Sequence, residues 1–252
     1  MMIDMAAWFR YLHFSEAVMN RTRYSFDTKT KEFLDRIIET GLPRCISIPK
    51  GETMWRAQLH DPNQKAWDAS PFPVERMKPL PKGREGRINP KGIPCLYLAT
   101  DEKTAMSEIR PWIGAVGTLA KFSTVKDLKL VDCSQALPTT VRRPAIPPQI
   151  PSPEELEQSY VNGLWERVNA AFSEPITLTD ETAEYAPTQV LAEFFRSANF
   201  DGIRYKSSLG SGKNVALFDL ASSDVVGRWI FQTMLLDYRF DVVQDGGAIV
   251  ER

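Results

Sequence analysis

The residues best suited to chemistry lie in one segment, Gly86-Arg87-Ile88-Asn89-Pro90-Lys91-Gly92-Ile93-Pro94-Cys95-Leu96-Tyr97-Leu98-Ala99, with Glu108 a short way on. A polar turn presents Arg87 and Asn89, a strand presents Tyr97, and a helix presents Glu108. Arginine suits a diphosphate because its planar fork gives paired, charge-assisted hydrogen bonds. A tyrosine ring can stack on a flat heterocycle such as nicotinamide. A carboxylate can hold a ribose hydroxyl and stabilise positive charge growing on an anomeric carbon, the state through which glycosidic cleavage passes. With Arg56 upstream and Ser207 and Ser208 downstream, the set predicts a site that holds an anionic dinucleotide and breaks a bond at its sugar. The small residues of loop 207–212 would let backbone and hydroxyls approach such a ligand.

Each residue also has a structural reading. Arg87 could cap a turn through backbone carbonyls, Tyr97 could be a half-buried core aromatic, and Glu108 could be a solvated charge on a helix. Only the combination points to a site. The run Gly210-Ser211-Gly212-Lys213-Asn214 hints at a phosphate-binding loop. That motif requires glycine where Ser207 stands, Ser or Thr where Asn214 stands, and a helix to follow. A strand is expected instead, so this reading fails.

The elements that must position these side chains follow from periodicity. Residues 1–41 read as two helices, with Phe14 and Val18 on the first and Phe33, Leu34, Ile37 and Ile38 on the second at spacings of three and four. Gly41-Leu42-Pro43 is read as a stop, glycine supplying a left-handed cap. The connecting Arg21-Thr22-Arg23-Tyr24 is read as solvated. Strands are expected at 45–48, 53–58, 94–99, 119–122, 128–132, 203–205 and 215–218. In the third, Cys95, Tyr97 and Ala99 should face one way and Leu96 and Leu98 the other. Residues 61–86 read as a long loop. Thr100 or Asp101 should cap a helix that ends by Pro111.

A connector dense in proline runs from 136 to 153. A helix at 154–172 follows, with Leu156, Tyr160, Leu164 and Val168 as its stripe. Another helix is read as capped by Thr188 and carries Leu191, Phe194 and Phe195. The apolar run 229–236 has no clear assignment.

The chain has 252 residues and a net charge of −1, so it lacks the electrostatic footprint of a nucleic-acid binder. Cys45, Cys95 and Cys133 are few and scattered, which suits reduced thiols, with Cys95 a small core residue. With only His13 and His60 and no clustered ligands, no metal site is expected. The N-terminal residues lack the pattern of a secretory signal, and no window approaches the roughly 20 apolar residues of a spanning helix. A cytoplasmic protein that does not engage membranes is expected.

The chain resembles the RES-domain family. That resemblance rests on an ordered set: Arg56 in Trp55-Arg56-Ala57, the segment 86–99, Ala105-Met106-Ser107-Glu108, and Phe200-Asp201-Gly202-Ile203-Arg204-Tyr205-Lys206-Ser207-Ser208. It implies an α+β, ADP-ribosyltransferase-like fold, a split sheet with helices around an NAD cleft, spanning 45–222 with an insertion at about 134–187. Residues 1–44 would be a helical extension and 223–252 a tail packed on the domain.

The resemblance also implies that NAD+ is consumed as a substrate, without a metal, by cleavage of the nicotinamide–ribosyl bond. The chain would then be a bacterial toxin that depletes NAD+. Arg56 and Arg87 would bind phosphates, with Asn89 in the same cofactor-binding segment. Tyr97 would stack on nicotinamide and Glu108 would be the essential carboxylate. Ser207 or Ser208 would complete the pocket, Ser207 preferred because it follows the Tyr-x step.

Transfer of ADP-ribose to a protein and a catalytically silent nucleotide-binding module are the alternatives. An antitoxin protein is the implied partner. The helical extension, absent from compact members, would mediate self-association or recruit a different partner. Ile88 stands where an aromatic is common in the family.

Overall fold

A computed structural model describes residues 5–80, 83, 85–135, 151–174 and 182–237. The chain is α+β, with six α-helices and eight strands among these residues. Residues 136–150 of the connector predicted at 136–153 lie outside them.

Helices α1 (Met5–Asn20) and α2 (Thr28–Gly41) come first. Asp27 caps α2 by accepting from the Thr30 amide at 2.8 Å, an arrangement that satisfies an amide the helix leaves free. Gly41 does not form the expected left-handed stop. Its φ is −80°, and the chain runs on into a 3-10 turn over Leu42–Arg44. Glycine is suited to this position for another reason: a Cβ there would press on the Trp165 ring at 3.3 Å.

Strands β1 (Cys45–Ile48) and β2 (Thr53–Leu59) follow, then α3 (Val74–Met77), β3 (Leu96–Ala99), α4 (Glu102–Glu108), β4 (Val116–Thr124) and β5 (Leu128–Asp132). Helices α5 (Pro153–Ser173) and α6 (Ala186–Ser197) lead to β6 (Gly202–Lys206), β7 (Lys213–Leu217) and β8 (Ser223–Gln232). The unassigned run 229–236 thus ends the edge strand β8, which pairs with β4, and continues into irregular chain. The long loop at 61–86 contains α3 and a 3-10 turn at Ala66–Asp68.

The sheet order is β1-β5-β6-β7-β3-β2-β4-β8. Every neighbouring pair is antiparallel except β5 with β6, and that parallel pair needs a long crossover, which α5 and α6 supply. One face of the sheet packs under α1, α2, α5 and α6, in a core that includes Phe14, Phe33, Trp165, Phe172 and Phe195. The other face carries Met54, Leu96, Leu98, Phe122 and Leu130 beneath Phe72 and Met77 of the long loop and α3. The predicted alternation in β3 holds: Cys95 belongs to the first core, and Leu96 and Leu98 to the second.

Two helical expectations are corrected. In α5 the buried stripe is Leu164, Trp165, Val168 and Phe172, while Leu156 is exposed. Four-residue steps drift around a helix of 3.6 residues per turn, so a stripe drawn at 156, 160, 164 and 168 leaves the buried face at one end. Thr188 does not cap α6, which begins at Ala186 with Pro187 in its first turn.

Candidate active site

The sheet is nearly divided in two. A single residue pair, Trp55 with Ala99, joins β2 to β3, whereas β2 and β4 pair along seven residues. Past that one pair the two strands part, and the opening forms the floor of a cleft. Arg56 bridges it, its Nη1 donating to the Tyr97 carbonyl at 3.0 Å. Burial lowers the Arg56 pKa. Its Nε is buried with no hydrogen-bond partner.

Tyr97 projects from β3 and is fixed at its far end. Its hydroxyl donates to Asn89 Oδ1 at 2.7 Å and accepts from the Ile88 amide at 3.0 Å. Burial raises its pKa well above 10.0, so the phenol stays protonated and offers its ring rather than a proton. The turn that carries Asn89 is tight. The Gly86 amide donates to the Asn89 carbonyl at 2.9 Å, and a Cβ on Gly86 would meet both Asn89 Oδ1 and the Tyr97 hydroxyl at 2.8 Å. The first turn of α6 clamps the same segment: Thr188 Oγ1 donates to the Arg87 carbonyl at 2.6 Å, and Gln189 Nε2 to the Gly86 carbonyl at 2.9 Å. Thr188 therefore serves this turn and also reaches the Tyr185 carbonyl at 3.0 Å, without capping an amide of its own helix. Ile88 fills the core beside it.

Glu108 is the last residue of α4, whose start is capped by Asp101 through the Thr104 amide at 2.8 Å. Two donors hold Glu108 Oε1, the Ser207 hydroxyl at 2.6 Å and Asn214 Nδ2 at 2.8 Å. Ser207 is itself fixed, accepting from the amides of Leu209 at 3.1 Å and Gly210 at 2.9 Å. The glycines of loop 207–212 pack closely against α4. The Gly212 amide donates to Thr104 Oγ1 at 3.0 Å, and a Cβ on Gly210 would meet Thr104 Oγ1 at 2.6 Å.

Two adjoining hollows make up the cleft. The first, of about 290 Å³, is lined by Trp55, Arg56, Tyr97, Ala99, Glu108 and Ile109 among others. The second, of about 210 Å³, is lined by Arg87, Tyr97, Glu108, Arg110, Ser173 and Ser208 among others. Tyr97, Glu108, Tyr205 and Asn214 line both. The structure thus gathers Arg56, Arg87, Tyr97, Glu108 and Ser208 on one cleft, with Arg56 lining the first hollow, Arg87 the second, and Tyr97 and Glu108 both.

Asn89 and Ser207, predicted as ligand contacts, line neither hollow. Asn89 is 2% exposed and orients Tyr97, and Ser207 orients Glu108. Sequence reasoning missed Asn214 as a site residue. The available signal was a lone amide side chain at the head of the apolar run 215–218.

Cys95 is buried, and burial pushes its thiol up to about 11, consistent with a core residue rather than a nucleophile. Among the described residues there is no cluster of three or more His, Cys, Asp or Glu side chains that could hold a metal. No helix among them is long and apolar enough to cross a membrane.

Comparison with curated proteins finds no match. Among solved structures, the chain is similar to the crystal structure of the M. tuberculosis MbcT-MbcA toxin-antitoxin complex. That likeness has 14% identity over 80% of this chain and 93% of that one, with a TM-score of 0.40. It is too distant to carry an argument. The model of the RES domain matches residues 53–241, a span that holds Arg56, the Gly86 turn, Glu108 and the loop that fixes it, and the chain belongs to the RES-domain family.

Proposed function

We propose that this chain cleaves the nicotinamide–ribosyl bond of NAD+, with water or phosphate as the acceptor, and acts as a bacterial toxin by depleting NAD+. The observation that carries this reading is Glu108. Its Oε1 is occupied by two side-chain donors, which aims the carboxylate into the wall shared by both hollows. Its other oxygen is then available to a ribose hydroxyl and to the positive charge that grows on the anomeric carbon.

The nicotinamide leaves as a neutral ring, taking the electron pair of the broken C–N bond. The acceptor oxygen forms the new bond to the anomeric carbon and, when it is water, releases one proton. Tyr97, with its hydroxyl tethered behind it, offers a ring face rather than acid–base chemistry. Arg56 and Arg87 supply positive charge in the cleft for the anionic part of the substrate.

Purified protein incubated with NAD+ should release nicotinamide, together with ADP-ribose in water or its phosphate ester in phosphate buffer, as read by mass spectrometry. NAD+ left intact under both conditions would overturn the proposal. A second reading, transfer of ADP-ribose to a protein, draws support from the exposed position of Glu108 at the rim of the cleft, where a large acceptor can reach. Label from NAD+ entering a protein band in lysate, in place of free ADP-ribose, would favour it. An antitoxin partner, self-association through α1 and α2, and a cytoplasmic location belong to the same proposal. Met5 and Phe9 stand exposed on α1 as the surface for such a contact.

A further inference from the structure

The long loop at 61–86 is fastened to the sheet at Phe72. Its ring stacks on His60, just past β2, with centroids 3.9 Å apart and planes 10° from parallel. The Arg76 guanidinium of α3 lies over the same ring, 3.5 Å from its centre. Two groups this close to one ring centre can only occupy its opposite faces, so Phe72 is held between an imidazole and a cation. Thr118 of β4 ties this sandwich to the sheet: its Oγ1 accepts from the Phe72 amide at 3.0 Å and lies 2.8 Å from His60 Nε2. Arg228 of β8 donates to the Phe72 carbonyl at 2.5 Å, and Gln58 Nε2 donates to the Arg76 carbonyl at 2.9 Å. The strap so held backs on to the cleft. Leu98 lines the first hollow and also belongs to the core that Phe72 and Met77 cover.

From this arrangement we infer that the His60–Phe72–Arg76 sandwich is a pH-sensitive latch, which a proton on His60 opens to free the strap behind the cleft. Neutral His60 can take the Thr118 hydroxyl proton at Nε2, so that Thr118 donates once and accepts once. A protonated imidazole carries N–H at both nitrogens, and the Thr118 proton then loses its acceptor. The surroundings offer the new cation no partner. Arg76 on α3 and Arg228 on β8 are themselves cations. Asp61 turns its carboxylate to the Asn63 amide at 2.9 Å, Asp224 of β8 pairs with Lys78 at 2.7 Å, and Glu75 of α3 is exposed. Among the described residues no carboxylate bonds to His60. A cation over a ring is attracted to it, but Arg76 already holds the other face, and like charges repel most where water is excluded. Burial lowers the His60 pKa below 6.5, and Arg76 lowers it further. Because the latched value is the lower one, the latch is whole above pH 6.5 and is lost as pH falls through the latched value.

The test is hydrogen exchange in the full chain, read by mass spectrometry on a peptide covering Phe72–Met77 and corrected for the intrinsic pH dependence of exchange. Between about pH 7.5 and pH 5.5, the range in which histidine titrates, protection of this peptide should fall about fivefold or more. A peptide from the buried part of α5, 164–172, should keep its protection, which separates local release from acid unfolding. His60→Phe keeps a ring to stack on Phe72 and cannot take a proton, so protection in that variant should be flat with pH. The chain has two histidines, and His13→Gln should retain the wild-type fall.

Neither turnover nor substrate enters the measurement, so its outcome does not depend on which bond the cleft breaks. Wild-type protection that is unchanged by pH overturns the latch, as does an equal fall in His60→Phe. NMR of the His60 ring in the unmodified chain supplies a second reading. Its titration should span the pH range over which the strap is released, and a midpoint outside that range overturns the latch.

Discussion

The helical side of the molecule and the rim of the cleft are built by opposite means. Under α1 and α2 the contacts are apolar and closed: Phe14 stacks on Phe33 with ring centroids 4.6 Å apart, and both are buried. At the rim, α4 and loop 207–212 are joined by a polar relay. Asp101 accepts from Thr104, Thr104 accepts from Gly212, and Ser207 donates to Glu108. Apolar burial scales with area and tolerates no void, whereas a hydrogen-bond relay fixes direction with little buried surface. The difference teaches that packing and the aiming of the rim's polar side chains are carried by separate segments, so one can be damaged without the other.

The sharpest way to break that separation is Phe14→Ala. It removes a fully buried ring from the helical core and should cost about 3–5 kcal/mol of stability. Denaturant titration should show the loss, with activity falling only as the folded fraction falls. A variant as stable as wild type would mean that the N-terminal helices are not part of the cooperative core.

Glu108→Gln probes the other region. The shape is kept and the charge removed, so nicotinamide release should drop by about a hundredfold or more while the denaturation midpoint stays within the error of wild type. Retained activity would remove Glu108 from the chemistry.

The smallest expected effect lies between the two regions, at Asp132 on β5. Burial raises its pKa, but hydrogen bonds from Arg204 and Ser134 and the charges of Arg204 and Lys213 outweigh that and leave it below 3.8. Arg204 Nη2 sits 2.6 Å from Asp132 Oδ2. Because the folded-state pKa is the lower one, this stabilisation is present above the ordinary value of 3.8 and is lost as pH falls through the folded value. Acid titration of stability should therefore be less steep below about pH 4 in Asp132→Asn than in wild type. Identical slopes would show that the pair contributes nothing.

Legibility varied with range. The β3 alternation, a cap for α4 at Thr100 or Asp101 and the strand at 128–132 follow from nearest neighbours along the chain and could be read from pattern, whereas the strand expected at 215–218 begins two residues earlier, at Lys213. The gathering of Arg56, Arg87, Tyr97 and Glu108 on one cleft was also legible, through the ordered motif shared with the RES-domain family. Asn89 and Ser207, expected as ligand contacts, line neither hollow and bond Tyr97 and Glu108, because a motif gives residue type and order but not which side of a neighbour a group occupies. Thr188 follows the same logic. Near Pro187 it looks like a cap, yet its hydroxyl serves a turn about a hundred residues earlier in the chain.

Local patterning was enough to determine the succession of helices and strands and a polar turn near Gly86, and the α+β fold class followed from the resemblance to the RES-domain family. Only tertiary structure decided the strand order, the single bridge at Trp55 and Ala99 that opens the sheet, and the meeting of Asn214 with Glu108. Arg44 makes the same point: it is 2% exposed, with its guanidinium 4.6 Å from the Trp165 ring centroid. The physical reason is that propensities and caps act over a few residues. Burial and directional hydrogen bonds join groups by distance in space, which the order of residues along a chain does not encode one pair at a time.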